Sequence, residues 1–120
     1  MQKTIFVVDD SITNLSLVEE ALEKEYRVIT FTSAQEMFAL LDSVTPNLIL
    51  LDVAMPEVSG FDALKRLRSS ETHVKIPVIF LTALQDSHNE AYGFELGAVD
   101  FITKPFSEDV LMQRVKSRLR

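Results

Sequence analysis

Polar residues with chemical potential recur in this chain wherever an apolar run stops. Asp9-Asp10 follow Thr4–Val8, Asp52 follows Leu48–Leu51, Thr82 follows Val78–Leu81, and Lys104-Pro105 follow Val99–Ile102. Singly, each has an ordinary use: an aspartate after a strand ends a turn or caps a helix, a threonine finishes a strand, and a loop lysine is solvated. Together they supply three carboxylates, a hydroxyl and an ammonium, a set that independent caps do not explain. Three carboxylates held close repel, and each raises the pKa of the others unless a cation intervenes. With no cysteine in the chain and no histidine near these positions, the donors are all oxygen. That favours a hard ion, Mg²⁺ or Mn²⁺, at a site of few carboxylates and retained water. A carboxylate is also a nucleophile toward phosphorus and forms an acyl phosphate. Phosphoryl transfer asks mainly for positioning and for neutralisation of the equatorial oxygens. A metal, the Lys104 ammonium and the Thr82 hydroxyl could supply this from three sides. Asp52, alone in its run, is the expected acceptor, and Asp9 and Asp10 are the expected metal-holding pair.

These groups meet only if the runs that carry them lie side by side. The runs are Thr4–Val8, Arg27–Thr30, Leu48–Leu51, Val78–Leu81 and Val99–Ile102, mostly continuous rather than alternating, as in strands covered on both faces. Helical patterns separate them. Ile12, Leu15, Val18 and Leu22 share one face of a first helix. Ser33 with Glu36 reads as a capping box for a second that carries Met37, Leu40 and Leu41. Phe61, Leu64 and Leu67 mark a third. A fourth runs from about Asp86 to Leu96, with Gly97 as its left-handed terminus. Ser107, followed by Glu108 and Asp109, starts a fifth that is expected to bury Val110, Leu111 and Val115. Five strands alternating with five helices predict an α/β fold, a doubly wound parallel sheet with helices on both faces. In such sheets ligands bind at the carboxyl ends of the strands, where the five polar groups would converge.

Bulk properties set the frame. A length of 120 residues fits one domain, residues 1–120, and 47% hydrophobic residues are enough for a core. The absence of cysteine excludes disulfides and thiolate metal sites and fits a reducing cytoplasm. A net charge of −6 argues against general binding to nucleic acid or to an anionic membrane surface. No apolar run approaches the ~20 residues of a membrane span, and the start lacks the pattern of a signal peptide. His73 and His88 read as surface histidines, and Met37, Met55 and Met112 as packing residues. Arg114, Lys116, Arg118 and Arg120 are expected to complement the carbonyl end of the last helix. That helix reaches Arg120 with neither a terminal glycine nor a trailing proline, which leaves open both a cut from a longer protein and a frayed end. Met1 just ahead of the first strand reads as a native start.

Four segments carry a family resemblance: Phe6-Val7-Val8-Asp9-Asp10-Ser11; Leu51-Asp52-Val53-Ala54-Met55-Pro56 with Gly60 beyond; Leu81-Thr82-Ala83; and Gly97-Ala98-Val99-Asp100-Phe101-Ile102-Thr103-Lys104-Pro105-Phe106. In order and spacing they resemble the receiver (CheY-like) domain of bacterial two-component response regulators, across essentially the whole chain. The resemblance implies a sheet order of 2-1-3-4-5 and a phosphoryl donor on a sensor histidine kinase or phosphotransfer protein. It implies that Asp10, Asp52 and the backbone carbonyl of Ala54 bind Mg²⁺ directly and Asp9 through water. Lys104 would contact the phosphoryl group and precede a cis bond to Pro105. Thr82 and Phe101 would be a switch pair, the hydroxyl moving to the phosphoryl oxygen and the ring turning into the vacated space. A downstream target or fused output domain would then read the face formed by the fourth helix, fifth strand and fifth helix. A phosphorylation-linked homodimer is left open. The expected product is a cytoplasmic regulatory phospho-acceptor, not a turnover enzyme.

Two further positions bear on the lifetime of an acyl phosphate. Ala54, two after the acceptor, and Leu84, two after Thr82, flank the line of water attack and cannot hydrogen-bond a water through their side chains. They predict slow self-dephosphorylation; the alternative is that both follow local packing. Gly97–Phe106 also resembles receivers joined to cyclic-di-nucleotide enzymes, an analogy that does not choose the output. Rival readings fit less well. A haloacid-dehalogenase-type phosphatase needs Asp-x-Asp after the first strand, where this chain has Asp9-Asp10-Ser11. A flavodoxin-like cofactor carrier needs a phosphate-cradling loop there, and two aspartates would repel a phosphate. A degenerate receiver would lack a site residue, and all five are present.

Overall fold

The computed structural model describes residues 2–83 and 87–119, with the backbone alone of Ser87 and His88. Among the described residues, five strands alternate with five helices: β1 (Thr4–Val8), α1 (Ile12–Leu22), β2 (Arg27–Phe31), α2 (Ala34–Leu41), β3 (Leu48–Asp52), α3 (Gly60–Arg68), β4 (Val78–Thr82), α4 (Ser87–Glu95), β5 (Asp100–Thr103) and α5 (Glu108–Arg118). All strand pairs are parallel, in the order β2-β1-β3-β4-β5. β2, β3 and β4 each continue one residue beyond the apolar run, and β5 is displaced by one. The ladder is made of backbone groups, so a polar side chain does not end it: Asp52 still pairs with Leu81 and Thr82 with Thr103.

Because side chains alternate along a strand, each central strand feeds two cores. Phe6, Val8, Ile49, Leu51, Val78 and Phe80 face α2 and α3. Ile5, Val7, Leu48, Leu50, Ile79 and Leu81 face α1 and α5. These residues are fully buried, which is why β3 and β4 read as unbroken apolar runs. Met37 lies wholly in the core, and Met55 and Met112 pack against it in part.

Serines start four of the helices, α1, α2, α3 and α5. The hydroxyls of Ser11, Ser33, Ser59 and Ser107 accept from the amides of Asn14, Glu36, Asp62 and Val110, each cap typically stabilising by about 1 kcal/mol. Glu36 closes its box on the amide of Thr32 at 3.0 Å, one residue further back than a reciprocal bond to the cap residue. Gly97, at φ 107°, lies in the left-handed region just past α4.

Several expected placements differ. Ile12 is 71% exposed because the first residue of α1 lies above the sheet edge, leaving Leu15, Val18 and Leu22 as the buried stripe. Val110 is 43% exposed, and α5 buries Leu111 and Val115 only. His73 is buried in the turns that join α3 to β4, with Nδ1 at 3.3 Å from Ser70 Oγ; the side chain of His88 lies outside the described residues. Lys116 and Arg118 stand in the last turn of α5 as expected. Their side chains also reach sideways, Lys116 to Glu25 at 3.2 Å and Arg118 to the Val99 carbonyl, while Arg114 pairs with Asp100 at 2.9 Å. Arg120 lies outside the described residues. No helix of the described residues is long and apolar enough to cross a membrane.

Candidate functional site

Four polar side chains are classed among the buried ones in the described structure, and three of them, Asp9, Asp52 and Thr82, stand at the carboxyl edge of the sheet. Burying an ionised carboxylate is costly unless it is paired, so two such groups at one edge mark a built site. β1 delivers Asp9 and Asp10, β3 delivers Asp52, and β4 delivers Thr82. Carboxylate oxygens of Asp9, Asp10 and Asp52 all lie within 4.8 Å of one another. Asp10 is exposed, so the cluster opens to solvent on its side.

Local backbone bonds hold the frame. Asp9 Oδ1 accepts from the Ser11 amide at 2.9 Å, and the Asp9 amide donates to the Phe31 carbonyl. Behind β3, the Gly60 amide donates to the Val53 carbonyl at 2.8 Å. A Cβ on Gly60 would stand 2.2 Å from the Asp52 carbonyl oxygen, so this close approach of α3 to the backbone of Asp52 requires glycine. Ala54 follows in the exposed loop. Across the site, the Lys104 amide donates to the Thr82 carbonyl at 2.9 Å and the Lys104–Pro105 bond is cis.

Charge within the cluster is unevenly shared. Lys104 Nζ lies 2.7 Å from Asp9 Oδ2 and 3.5 Å from Asp52 Oδ1. The lysine thus favours Asp9, a pairing that residue types alone do not disclose. Asp52 is left with burial and the neighbouring Asp9 charge, which lift its carboxyl from 3.8 to about 6 against the opposing pull of Lys104. A cation among the three carboxylates would relieve that strain, and an all-oxygen donor set suits a hard divalent ion. The residues present therefore fit a Mg²⁺ site.

Phe101 on β5 is half-buried, its ring 5.2 Å from that of Phe80 and 5.1 Å from that of Phe94, centroid to centroid. All of the expected site residues except Leu84 are described: five converge on the edge, and Phe101 sits one strand away between β4 and α4. Leu84 lies outside the described residues.

A 2-1-3-4-5 sheet with its polar groups gathered where β1 and β3 diverge defines the flavodoxin-like class of doubly wound domains, which bind ligands at that switch point. The family model for the response regulator receiver domain matches residues 5–116, and the chain belongs to that family. It is 40% identical over 119 residues to the phosphate regulon transcriptional regulatory protein PhoB of Pseudomonas aeruginosa, an alignment covering 98% of this chain and 52% of that protein. It is 39% identical over 121 residues to the response regulator PleD of Caulobacter vibrioides, covering 100% and 27%. The structure of the chemotaxis protein CheY4 of Vibrio cholerae matches with a TM-score of 0.92 at 26% identity, over 98% of each chain. The chain spans between about a quarter and a half of the length of the curated relatives it matches. It is therefore a receiver domain of two-component response regulators, a regulatory module.

Proposed function

We propose that the domain, residues 1–120, is a cytoplasmic switch that accepts a phosphoryl group on Asp52 from a phosphohistidine of a sensor kinase or phosphotransfer protein. One observation carries this reading: Asp9, Asp10 and Asp52 present oxygens within 4.8 Å of one another with Lys104 within 3.5 Å of Asp52. In the transfer, an Asp52 carboxylate oxygen forms the new O–P bond while the N–P bond of the donor breaks, its electron pair leaving with the imidazole nitrogen. The nucleophile must be ionised. With its pKa at about 6, Asp52 is mostly carboxylate at neutral pH and more basic than an ordinary aspartate.

Asp10, Asp52 and the Ala54 carbonyl would hold Mg²⁺ directly, and Asp9 through water; when bound, the ion supplies neutralising charge to the phosphoryl oxygens. Lys104 supplies a second positive charge, moving from Asp9 toward the phosphoryl group, and Thr82 a hydroxyl. The Thr82 and Phe101 side chains form the switch, so that local charge biases a two-state surface. A target protein or fused output domain reads α4, β5 and α5; between β5 and α5 a groove of about 260 Å³ is lined by Phe101, Phe106, Val110 and Arg114 among others. Ala54 offers no side chain to orient water and Leu84 none that could, so the adduct is slow to hydrolyse; Leu84→Glu should shorten its life, and an unchanged or longer life would remove this part.

The test is to add a small phosphodonor with Mg²⁺ and measure intact mass. One acid-stable, hydroxylamine-labile phosphoryl adduct is expected, absent in Asp52→Asn. No adduct, or one that survives the substitution, would refute the assignment.

A further inference from the structure

α4 buries little of its own surface and meets the fold through rings, Tyr92 on Phe61 and Phe94 on Phe101, each at 5.1 Å. Among its described side chains, Asn89 is half-buried, Glu90, Ala91, Tyr92, Phe94 and Glu95 are exposed, and Gly93 is the one buried position. Glycine is unfavourable inside a helix, and Gly93 has no positive φ to require it. Packing supplies the reason. A Cβ on Gly93 would stand 2.4 Å from Phe101 Cζ, 2.9 Å from Phe101 Cε1 and 3.3 Å from Phe80 Cε2. The tip of the Phe101 ring occupies the space a side chain at position 93 would need. Phe80 is fully buried and wedged against Phe61 at 5.4 Å, so it has little room to yield. Phe101 is half-buried, and its ring is the part that would move.

We propose that Gly93 is the seat of the Phe101 ring, a positioning residue through which α4 sets the balance of the switch; this rests on the reading of Phe101 as a switch residue given above. The ring is held on three sides, by Phe80 beneath, Phe94 beside it and the Gly93 backbone at its tip. The other ring contact of α4 among the described residues is Tyr92 on Phe61 at 5.1 Å, so the Phe101 ring meets α4 at both Gly93 and Phe94 and a shift of the ring bears on the helix. A methyl group at 93 unseats the ring and so shifts the equilibrium that phosphorylation acts on.

The experiment is a double-mutant cycle read by binding of beryllofluoride with Mg²⁺, a stable mimic of the phosphoryl group, in wild type, Gly93→Ala, Phe101→Leu and the double variant. Leucine lacks the Cε1 and Cζ atoms that meet position 93. Gly93→Ala should change the binding midpoint by about fivefold or more with Phe101 present, the lower end of usual coupling between sites, and by much less in the Phe101→Leu background. An equal change in both backgrounds, or none in either, overturns the seat. Nuclear Overhauser contacts between the Gly93 α-protons and the Phe101 ring test the geometry in the wild-type protein, independently of whether any variant folds; their absence also overturns it. If wild type binds no beryllofluoride, the phosphoryl-site reading falls and the proposal with it. Binding that ignores position 93 removes the seat alone.

Discussion

Replacing Asp52 by Asn should make the domain more stable at neutral pH, although it removes the proposed acceptor. Asp52 is 4% exposed, and the nearest cation sits closer to Asp9 than to it. Burial first and the Asp9 charge second raise its pKa from 3.8 to about 6. At about 1.4 kcal/mol per pH unit, keeping Asp52 ionised in the native state costs about 3 kcal/mol relative to the unfolded chain. Asparagine has the same shape and no charge, so a gain of about 1–3 kcal/mol is expected once the lost contact with Lys104 is allowed for. For a chain of this length that is roughly 4–12 °C in Tm.

The pH dependence has a definite sign. The folded pKa lies above the unfolded one, so between 3.8 and about 6 the native state binds a proton that the unfolded chain has released. The penalty is absent below that window, grows as pH rises through it, and is complete above about 6. The advantage of Asp52→Asn should therefore be full at about pH 7.5, roughly half as large at about pH 5 and nearly gone at about pH 4. Urea denaturation of both proteins in chelator, followed by circular dichroism, measures it. Saturating Mg²⁺ should narrow the gap by stabilising the wild type. Equal midpoints at neutral pH, or an advantage that ignores pH, would refute the electrostatic account of the site.

Three other perturbations probe its surroundings. Lys104→Met strands Asp9, 1% exposed, without its cation; a loss of about 3 kcal/mol is expected in a urea melt at neutral pH, largely recovered by adding Asp9→Asn. Gly60→Ala forces a Cβ against the Asp52 carbonyl, which is backbone and cannot rotate away. It should cost about 3 kcal/mol and lower phosphoryl uptake, measured by intact mass. Glu57 holds φ at 68°, where a side chain crowds the backbone, and its bond to Gln35 is exposed. Glu57→Gly should stabilise by about 1 kcal/mol in the same melt.

What could be read in advance divides along a physical line. The convergence of Asp9, Asp10, Asp52, Thr82 and Lys104 on one sheet edge was legible because the apolar runs before them encode where they stand. Ser33, Ser107 and Gly97 were legible because a cap is a local event, decided within a turn of chain. Ile12 and Val110 were misplaced for a related reason: helical periodicity says which face a residue is on, but not where the sheet beneath that face ends. The same limit hid His73, whose burial depends on how the turns after α3 fold.

The residues that escaped are those whose role is set by a distance between remote parts of the chain. Arg68 carries no motif, yet its guanidinium donates to the carbonyls of Val74, Ile76 and Gly97 and so ties α3 to the turns at both neighbouring strands. Nothing in its neighbours along the chain marks that use. The preference of Lys104 for Asp9 over Asp52 is likewise a matter of under an ångström, 2.7 Å against 3.5 Å, which no residue type records. Gly60 and Gly93 are the sharpest instances, because a glycine records only that something comes close. At Gly60 the visitor is the backbone of Asp52, and at Gly93 it is the ring of Phe101. A glycine inside a helical pattern with no turn to justify it is the signal available in a sequence. Naming what approaches requires the fold, and with it the two glycines mark where α3 meets the backbone of Asp52 and where α4 meets the ring of Phe101.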